Sequence, residues 1–412
     1  MEVVGIVAEY NPFHNGHLWQ IEKIREKLPG ALIVCVMSGN ITQRGELTIL
    51  DKWQRAKAAV LGGCDLVLEL PFVFACRSAQ DFAKGGVDLL NSLGVVDYLS
   101  CGVETSNIDL IEQAVEYSFS ADFQNVLKNY LSDGYSYGEA IRKIFSKALS
   151  QADDLFYAPN NILALEYLKA IKALNSKIRF LPIKRAGANH HDKEIYSKIS
   201  SASAIRENLQ GQEPTWDKIK LAVSETVFSM LREEKAKGLP DYDKIFLPLA
   251  LKILNSKESQ LKNICGMNEG LENRVIEQIA KAKNIDEFIN AVTTKRYPRG
   301  RIRRLIIHAL LEFTKSDAEL FNKCGNLYIR PLAFNANGRE LLHSIKAKSG
   351  LPIVGKVGNF IHTADLHRPL EADEILQKML LYEVKSTELR RMAQGFWDKS
   401  HRDFTVSPIF LK

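Results

Sequence analysis

The sequence that decides the fold is VVGIVAEYNPFHNGHL, residues 3–18. Its first six residues form a short apolar run, which is typical of a parallel strand that is buried on both faces. The residues after it predict a helix, because apolar side chains recur at spacings of three and four, at Leu18, Ile21, Ile24 and Leu28. The turn between these two elements contains His14, Gly16 and His17. Two histidines therefore lie at the junction of a strand and a helix.

Strands and helices alternate through the first half of the chain. Besides residues 3–8, short apolar runs predict strands at residues 31–37, 65–70, 96–101 and 178–183. Helical periodicity predicts helices at residues 51–61, 78–92, 108–131, 136–150 and 160–174. Such alternation is the pattern of an α/β fold with a doubly wound parallel sheet. The two helices predicted within residues 108–150 interrupt the alternation, and we interpret them as an insertion.

The second half of the chain has a mainly helical pattern. Residues 213–290 have helical periodicity, with an apolar stripe formed by Ile219, Val223, Val227 and Met230. Further helices are predicted at residues 301–323 and 371–394. Between them, residues 326–365 mix short strand-like pieces with turns, one of them at Asn337 and Gly338.

The net charge also divides the chain into two parts. Residues 1–212 hold 22 Lys and Arg against 24 Asp and Glu, whereas residues 213–412 hold 33 against 25. The positive excess of the second half suggests an anionic macromolecular partner, and a solvated basic surface is the alternative. We predict a catalytic α/β domain over residues 1–212 and a mainly helical, basic domain over residues 213–412.

The composition narrows the class of protein. Hydrophobic residues make up 46% and charged residues 25% of the 412 residues, as in ordinary soluble globular proteins. The six cysteines include no CxxC pair, so neither a zinc knuckle nor a disulfide framework is indicated. The N-terminus has no signal-peptide pattern, and no apolar stretch reaches the roughly 18 residues of a membrane span. We therefore expect a cytoplasmic protein with no membrane segment.

The HNGH turn suggests a phosphate-binding site. The motifs GxGxxG and GxxxxGK[ST] are both absent, which argues against a common dinucleotide fold and against a P-loop protein. Gly16 allows a ligand to approach the backbone, and the free N–H groups of a helix start favour an anion. The imidazoles of His14 and His17 can donate hydrogen bonds to an α-phosphate from which pyrophosphate leaves. The alternatives are a capped loop with two surface histidines, and a metal pair that nothing nearby completes.

A second motif, SSASAIR at residues 200–206, lies at the other end of the first half. Hydroxyl and N–H groups at a helix start, followed by an arginine, suit the β- and γ-phosphates of ATP, and simple N-capping is the alternative. HNGH and SSASAIR together resemble the HxGH and SSTxIR signatures of the nucleotidylyltransferase superfamily. Ala202 and Ser203 stand where that superfamily has serine and threonine, which removes one hydroxyl that Ser200 can replace.

Longer stretches resemble the bacterial tRNA(Met) cytidine acetate ligase family. They are VAEYNPFHNGH, MSGNITQRGE, PNNILALEY, KRAGANHHD and ISSASAIR. The resemblance implies that the protein activates acetate with ATP, which brings Mg²⁺ with it, and then acetylates the wobble cytidine of elongator tRNA(Met). It implies that His14 and His17 are catalytic. The other ATP-binding residues that it implies are Val7, Ala8, Glu9, Tyr10, Asn11, Pro12, Phe13, Asn15, Gly16, Leu18, Gly102, Asn160, Arg185, Ser200, Ser201 and Arg206.

Two polar loops provide further candidates. Asn40, Gln43 and Arg44 can hold acetate or the edge of cytosine. Among these contacts, an ion pair between Arg44 and the carboxylate of acetate has the strongest physical basis. The alternative for that loop is a set of stabilised polar turns. The adjacent His190 and His191 are interpreted as part of a loop near the phosphates, because adjacent histidines rarely face one metal ion. We expect no resident metal site.

The densest positive charge lies in TTKRYPRGRIRRL, residues 293–305. No carboxylate interrupts this segment, and its tyrosine can stack on a base. A turn precedes a helix start there, which suits RNA phosphates, and a solvated charged turn is the alternative. The candidates for tRNA binding are Lys295, Arg296, Tyr297, Arg299, Arg301, Arg303 and Arg304.

Three functions compete for these residues. The first is the ATP-dependent acetate ligase, with elongator tRNA(Met), ATP and acetate as partners and no protein partner implied. The second is a small-molecule adenylyltransferase of cofactor metabolism, which leaves the basic half unexplained. The third is a non-catalytic RNA-binding protein, which gives no reason to keep His14, His17 and Ser201 together. We favour the ligase.

Overall fold

The computed structural model describes residues 1–105, 107–149, 155–185, 195, 198–211, 213–268, 270–367, 373–396 and 401–412. A seven-stranded sheet lies at the centre of this described part. Its strands are β1 (Val3–Ala8), β2 (Leu32–Ser38), β3 (Leu66–Leu70), β4 (Tyr98–Val103), β5 (Arg179–Lys184), β6 (Pro331–Phe334) and β7 (Ile409–Phe410). Their order in space is β5-β4-β1-β2-β3-β6-β7.

The five strands of the first half are parallel, as the alternation of strands and helices predicts. β1 pairs with both β2 and β4, β2 pairs with β3, and β4 pairs with β5. The chain builds the sheet outward from β1 to β3 and then crosses to β4, on the other side of β1. Such a reversal is a topological switch point, and ligands bind there, outside the carboxyl ends of the strands. The HNGH turn follows β1 at this edge.

Helices flank the sheet and form most of the second half. In the first half they are α1 (Asn15–Lys27), α2 (Lys52–Leu61), α3 (Phe72–Ala75), α4 (Ala79–Ser92), α5 (Ile108–Ser118), α6 (Ala121–Ser132), α7 (Tyr137–Ala148), α8 (Pro159–Ala173) and α9 (Ala202–Gln210). In the second half they are α10 (Trp216–Ala222), α11 (Glu225–Lys237), α12 (Phe246–Asn255), α13 (Glu258–Asn263), α14 (Leu271–Ile279), α15 (Ile285–Val292), α16 (Arg299–Leu311), α17 (Lys315–Cys324), α18 (Ala336–Lys348), α19 (Ile375–Gln394) and α20 (Arg402–Thr405). Short 3₁₀ helices cover Leu155–Tyr157, Tyr242–Ile245, Val357–Asn359 and Thr363–His367. Within the described residues, no helix combines the length and the apolar character that crossing a bilayer requires.

Helix caps divide two segments that the periodicity treats as continuous. The insertion contains three helices rather than two, because the Ser120 side chain caps a new helix, α6. The four residues of the predicted apolar stripe do share one buried cluster, but they lie on two helices and a residue between them rather than on one helix. α10 ends before Val223, and the side chain of Ser224 caps α11. A cap residue can end one helix and start another without disturbing the apolar spacing.

Two further predictions in the second half are corrected. The helix predicted over residues 301–323 is two helices, because Glu312 adopts a left-handed conformation (φ 56°) and Thr314 caps α17. Asn337 and Gly338 lie in the first turn of α18, where the side chain of Asn335 accepts the N–H of Gly338 at 2.9 Å. The asparagine and glycine there mark a helix start rather than a loop.

Apolar side chains pack on both faces of the sheet. Val4 and Ile6 of β1 share one buried cluster with Ile21 and Ile24 of α1. Val3 belongs to the cluster on the opposite face, because successive side chains of a strand alternate. Full burial of one such aliphatic side chain contributes about 1.5–3 kcal/mol. The packing of α1 therefore fixes the position of its N-terminus at the edge of the sheet.

The second half also contributes to the sheet. β6 is antiparallel to β3, and β7 is parallel to β6. A buried ion cluster joins the two halves there: Lys52 Nζ lies 2.7 Å from Glu69 Oε1 and 2.6 Å from Asp403 Oδ1, and Arg330 contacts the same two carboxylates at 2.8 and 2.7 Å. The sheet thus continues into residues assigned to the second domain, and a division at residue 212 stays a prediction.

Candidate functional site

A cavity of about 970 Å³ lies at the switch point of the sheet. Its lining comes from the ends of β1 and β4, the HNGH turn, the starts of α9 and α16, and the inserted helices. Small-molecule sites have volumes of about 300–1,000 Å³, so a nucleotide fits. We call the side formed by the lining residues of the stretches 7–17 and 201–206 the motif wall. The side formed by Arg296, Arg301 and Arg304 is the basic wall.

The HNGH turn is a helix cap made by its own histidines. His14 has an extended backbone (φ −141°, ψ 173°) and immediately precedes α1. Its Nδ1 accepts the N–H of Gly16 at 3.0 Å, and Nδ1 of His17 accepts the N–H of His14 at 3.2 Å. These are the reciprocal bonds of a capping box, with imidazole nitrogens in place of side-chain oxygens. Helix geometry therefore sets the spacing of the two histidines.

The capping bonds also determine where the imidazole protons lie. A ring nitrogen that accepts a backbone N–H has no proton of its own, so the proton of the neutral ring is on Nε2. Burial, together with Arg185 and Arg206, lowers the pKa of His14 from 6.5 to about 3. Burial, His14 and Arg185 hold the pKa of His17 well below 6.5. The rings stack with centroids 3.7 Å apart, and both line the cavity, so they offer adjacent neutral Nε2–H donors at neutral pH.

Glycine at position 16 is required by the ring of His14. A Cβ at this position would lie 2.9 Å from Cε1 and 3.0 Å from Nδ1 of His14. Real Cβ atoms essentially never approach other atoms as closely as 2.9 Å, so a side chain would displace the imidazole from its cap. Gly16 is outside the cavity lining. That it allows close approach of a ligand stays a prediction, whereas its effect on His14 follows from the geometry.

Only part of the predicted ATP-binding stretch faces the cavity. Residues 7–11 line it, together with both histidines. Asn15 instead fastens the turn, because its Nδ2 donates to the carbonyls of Lys198 and Leu221, each at 3.0 Å. The predicted binding residues of this stretch that lie outside the cavity lining are Pro12, Phe13, Asn15, Gly16 and Leu18.

The serine motif caps α9 at the same cavity. Ser201 Oγ accepts the N–H of Ala204 at 3.1 Å and lies 3.0 Å from Ser203 Oγ. Ser201 and Ser203 both line the cavity, whereas Ser200 is buried outside its lining. The N-capping alternative is thus correct for Ser201, and it does not exclude phosphate binding because the hydroxyls and the helix start face the cavity.

Arg206 is held by two acceptors one turn into α9. Its Nη1 donates to the carbonyl of Asn11 at 2.9 Å, and its Nη2 donates to Glu46 Oε2 at 3.0 Å. The other oxygen of Glu46 accepts from Arg303 of α16 at 2.7 Å. One carboxylate therefore connects the motif wall to the helix of the basic wall. Sequence reasoning missed this bridge, since positions so far apart in sequence leave no local pattern.

The remaining predicted nucleotide-binding residues surround the end of β4. Gly102, Asn160 and Arg185 all line the cavity. The side chain of Arg185 passes over Gly102, where a Cβ would lie 3.1 Å from Arg185 Cγ. Asn160, in the first turn of α8, donates its amide to Glu104. Residues from distant segments of the first half are thus brought to one site.

Of the three acetate or cytidine candidates in the loop after β2, two face the cavity and one does not. Gln43 and Arg44 line the cavity. Asn40 is buried outside that lining, where its Nδ2 donates to Thr387 Oγ1 at 3.0 Å and its Oδ1 accepts the N–H of Lys52 at 2.8 Å. Asn40 therefore supports the loop, and the acetate or cytidine candidates that face the cavity are Gln43 and Arg44.

The basic segment directs half of its six cations to the cavity. Arg296, Arg301 and Arg304 line it, the last two from one face of α16. Tyr297 is 8% exposed, and the Arg301 guanidinium lies 4.8 Å from its ring centroid. The expectation that this ring stacks on a base is therefore corrected, because the core and Arg301 cover it.

The other cations of the segment lie outside the cavity lining. Arg299 pairs with Asp286 at 2.6 Å, Arg303 pairs with Glu46, and Lys295 is exposed. The segment thus has more positive charges than it presents to the cavity.

The inserted helices form a wall that sequence reasoning missed. Leu131 and residues 135–138, between the end of α6 and the start of α7, line the cavity. The hydroxyl of Tyr137 donates to Glu166 Oε1 at 2.7 Å, which ties this wall to α8. A Cβ on Gly134 would lie 3.9 Å from Nη1 of Arg296, so the insertion adjoins the basic wall. The one local sequence feature that could have indicated this wall is the pair of tyrosines in YSYG, residues 135–138.

The predicted histidine pair, His190 and His191, lies outside the described residues, and its role stays a prediction. Among the residues that the structure describes, no group of three or more His, Cys, Asp or Glu side chains could hold a metal ion.

Comparison with known proteins identifies the family. The HIGH Nucleotidyl Transferase family model matches residues 1–403. A tRNA(Met) cytidine acetate ligase of Acetivibrio thermocellus is 34% identical over 409 residues, which cover 96% of this chain and 98% of the relative. This chain belongs to the tRNA(Met) cytidine acetate ligase family. The resemblance inferred from HNGH, SSASAIR and the longer stretches is confirmed.

Other members of the tRNA(Met) cytidine acetate ligase family support the assignment. The enzyme so named from Caldicellulosiruptor saccharolyticus is 40% identical over 420 aligned positions, covering 100% of this chain and 99% of the relative. Crystal structures of Thermotoga maritima TmcAL superimpose with TM-scores of 0.88, bound with α-thio ATP, and 0.90 in an apo form, at 33% identity and with 100% of each chain covered. The predicted α/β fold of the HxGH type is confirmed.

Proposed function

We propose that this protein is an ATP-dependent tRNA(Met) cytidine acetate ligase. It activates acetate as acetyl-adenylate and transfers the acetyl group to the wobble cytidine of elongator tRNA(Met), forming acetylcytidine. The names of its relatives support this reaction. The structural observation that carries it is the pair of neutral Nε2–H donors, His14 and His17, at a helix start in the switch-point cavity.

The first step forms a bond between an acetate oxygen and the α-phosphorus of ATP, and it breaks the bond to pyrophosphate. Negative charge increases on the α-phosphate oxygens in the transition state. His14 and His17 donate hydrogen bonds to that charge, and the positive end of the α1 dipole also favours it. Their low pKa values suit this role, since they act as fixed donors and transfer no proton.

The start of α9 receives the leaving pyrophosphate. Ser201 and Ser203 offer hydroxyls there, and Arg206 offers a guanidinium. Arg206 is bonded to Glu46 and to the Asn11 carbonyl. The β- and γ-phosphates compete with these acceptors when ATP binds.

Magnesium enters as a complex with ATP. The cavity carboxylates Glu46 and Asp81 are already paired with arginines. Mg²⁺ characteristically keeps phosphate oxygens and water among its ligands, so it does not need a dedicated protein site.

The rest of the cavity binds the other two substrates, acetate and tRNA. Arg44 is exposed at its edge and pairs with the carboxylate of acetate. The basic wall holds RNA phosphates beside the target cytidine. A cytoplasmic location goes with this proposal, because tRNA and ATP are available there.

The test is acetylation of bulk tRNA by the purified protein with ATP and labelled acetate. Wild type should label tRNA at cytidine, and His17→Ala should lower the rate by about 10²–10³-fold through loss of one transition-state donor. His343→Ala is the matched control, because this histidine is exposed on α18 and lies outside the cavity lining. Absence of label, together with pyrophosphate exchange driven by a different acid or phosphate ester, would establish a small-molecule adenylyltransferase instead.

A further inference from the structure

Transfer of the acetyl group requires a base that the two histidines do not supply. The N4 amine of cytidine attacks the carbonyl carbon of acetyl-adenylate, a C–N bond forms, and the C–O bond to AMP breaks. N4 must lose one proton in this process. His14 and His17 cannot take it, because their Nδ1 atoms accept backbone N–H groups and their Nε2 atoms already carry protons. A proton acceptor has to come from elsewhere in the cavity.

The carboxylates of the cavity differ in their partners. Within the described lining they are Glu9, Glu46 and Asp81. Glu46 is paired with two arginines, and Asp81 is paired with Arg77 at 3.1 Å. Glu9 forms no ion pair with a described residue. Its Oε1 accepts the Gln43 N–H at 2.5 Å, and its Oε2 has no partner among the described residues.

We propose that Glu9 is the general base of the acetyl-transfer step: its carboxylate accepts a hydrogen bond from N4–H of the target cytidine and then the proton. This proposal rests on the proposed function and names the group that serves its second step. A carboxylate is the side chain that suits the N4 amino group of cytosine. The balanced step converts acetyl-adenylate and cytidine into acetylcytidine and AMP, with the proton on Glu9 and later in solvent.

The surroundings of Glu9 hold it rigidly at the end of β1. The buried guanidinium of Arg55 donates to the Glu9 carbonyl and to the carbonyls of Ser38 and Gly39 at the end of β2. Gln43, whose N–H binds the carboxylate, is itself fixed by donation from Nε2 to the Arg77 carbonyl at 2.7 Å. A base fixed in this way needs little reorganisation when it takes the proton.

The local electrostatics favour a proton acceptor at neutral pH. Desolvation is the largest influence and raises the pKa of Glu9 from 4.5, opposed by the Gln43 N–H; Glu46 raises this pKa further, whereas Arg44 and Arg206 lower it. Arg55, Cys76 and Tyr167 are the other titratable groups that interact with its charge. A carboxylate with a raised pKa is a stronger base than one in water.

The experiment measures acetate activation and acetyl transfer separately in Glu9→Gln. Glutamine keeps an oxygen for the Gln43 N–H and removes the basicity. Single-turnover transfer from synthetic acetyl-adenylate to tRNA should fall about 10²–10³-fold, as for loss of a general base, and acetate-dependent ATP–pyrophosphate exchange should fall at least tenfold less than transfer does. Asp81→Asn, which removes a paired carboxylate of the same cavity, is the control and should not slow transfer selectively.

A pH profile and a conservative variant complete the test. The wild-type transfer rate should decrease as the pH falls through the pKa of Glu9, this dependence should disappear in Glu9→Gln, and Glu9→Asp should restore part of the rate and the pH dependence. Unchanged transfer in Glu9→Gln would overturn the proposal and assign the base to an adenylate phosphate oxygen. An equal loss of both steps would overturn it too and assign Glu9 to ATP binding. Failure of the proposed function is a separate result, in which wild type itself gives no acetate-dependent exchange and no acetylated tRNA.

Discussion

The two walls of the cavity hold their hydrogen-bond donors in different ways. On the motif wall, the functional groups of His14, His17 and Ser201 form part of helix caps, and their partners lie within three residues in sequence. On the basic wall, Arg301 and Arg304 extend long side chains from one face of α16. Caps tie a side chain to the backbone beside it, whereas the guanidiniums of Arg301 and Arg304 make longer hydrogen bonds to distant carbonyls, those of Gly266 at 3.4 Å and Gln43 at 3.3 Å.

This difference separates two tasks. The motif wall is preorganised for charge that develops at one atom, where a fixed donor is most effective. The basic wall can adjust to a flexible polyanion, in which each phosphate contact adds a similar and salt-dependent contribution. Substitutions on the first wall should therefore affect the chemical steps, and substitutions on the second should affect the binding of tRNA.

Among the substitutions that test this comparison of the two walls, the largest effect is expected for Gly16→Ala. The added Cβ, 2.9 Å from Cε1 of His14, should move the imidazole and its Nε2 donor. Acetate-dependent ATP–pyrophosphate exchange should fall about 10²-fold, in line with loss of one transition-state donor. Gly350→Ala is the control, because a Cβ at Gly350 meets nothing within 4 Å. Exchange at the wild-type rate in Gly16→Ala would show that His14 does not depend on this glycine.

His14→Asn should make the protein less sensitive to acid. The pKa of His14 is about 3 in the folded state and 6.5 when unfolded, so the unfolded state binds more protons between these values. The stability that this difference provides is complete above pH 6.5 and is lost as the pH falls toward 3. Between pH 7 and pH 5 wild type should lose about 2 kcal/mol more than His14→Asn, measured by urea unfolding. Equal losses would mean that His14 is not buried as a neutral ring.

On the basic wall, Arg301→Ala and Arg304→Ala should weaken tRNA binding. Each should raise KM for tRNA about tenfold and reduce the slope of log KM against log salt by about 1, while exchange without tRNA stays unchanged. Lys295→Ala is the comparison, because this lysine is exposed outside the cavity lining. A larger effect for Lys295→Ala than for the two arginines would place the tRNA on a different surface.

The smallest effect is expected for Glu46→Gln, which breaks the bridge between the walls. Arg206 and Arg303 are 21% and 28% exposed, so solvent screens both ion pairs. The loss in unfolding free energy should be about 1 kcal/mol at low salt and less at high salt. Unchanged stability at low salt would show that the two walls are independent.

The fold and the motif wall could be predicted because their determinants are local. Apolar runs predict each of the five parallel strands to within two residues. In a capping motif, the hydrogen-bond partners lie within a few residues of each other in sequence. HNGH therefore contains most of the information about its own geometry. Sequence reasoning interpreted Gly16 as room for a ligand, whereas the structure shows that a side chain there would displace the ring of the neighbouring His14.

For the basic wall, the sequence predicted the stretch that contains it but not which of its side chains face the cavity. Six cations in 293–305 look equivalent in sequence, but pairing with Asp286 and Glu46 removes two of them, and those acids are distant in sequence. Burial of Tyr297 likewise depends on helices packed around α16. Contacts between separate elements decide which charges face the cavity, and a single sequence does not encode them as a pattern.

The most direct test of the fixed donor pair is histidine NMR on the ¹⁵N-labelled protein at neutral pH. His14→Asn and His17→Asn assign the two ring signals, and an ATP analogue that cannot be cleaved at the α-phosphate is then added. We expect two neutral imidazoles with protons on Nε2, and a change of both Nε2–H signals on binding. A protonated ring, a proton on Nδ1, or Nε2–H signals unaffected by the nucleotide would contradict the claim that this turn holds a fixed donor pair for the α-phosphate.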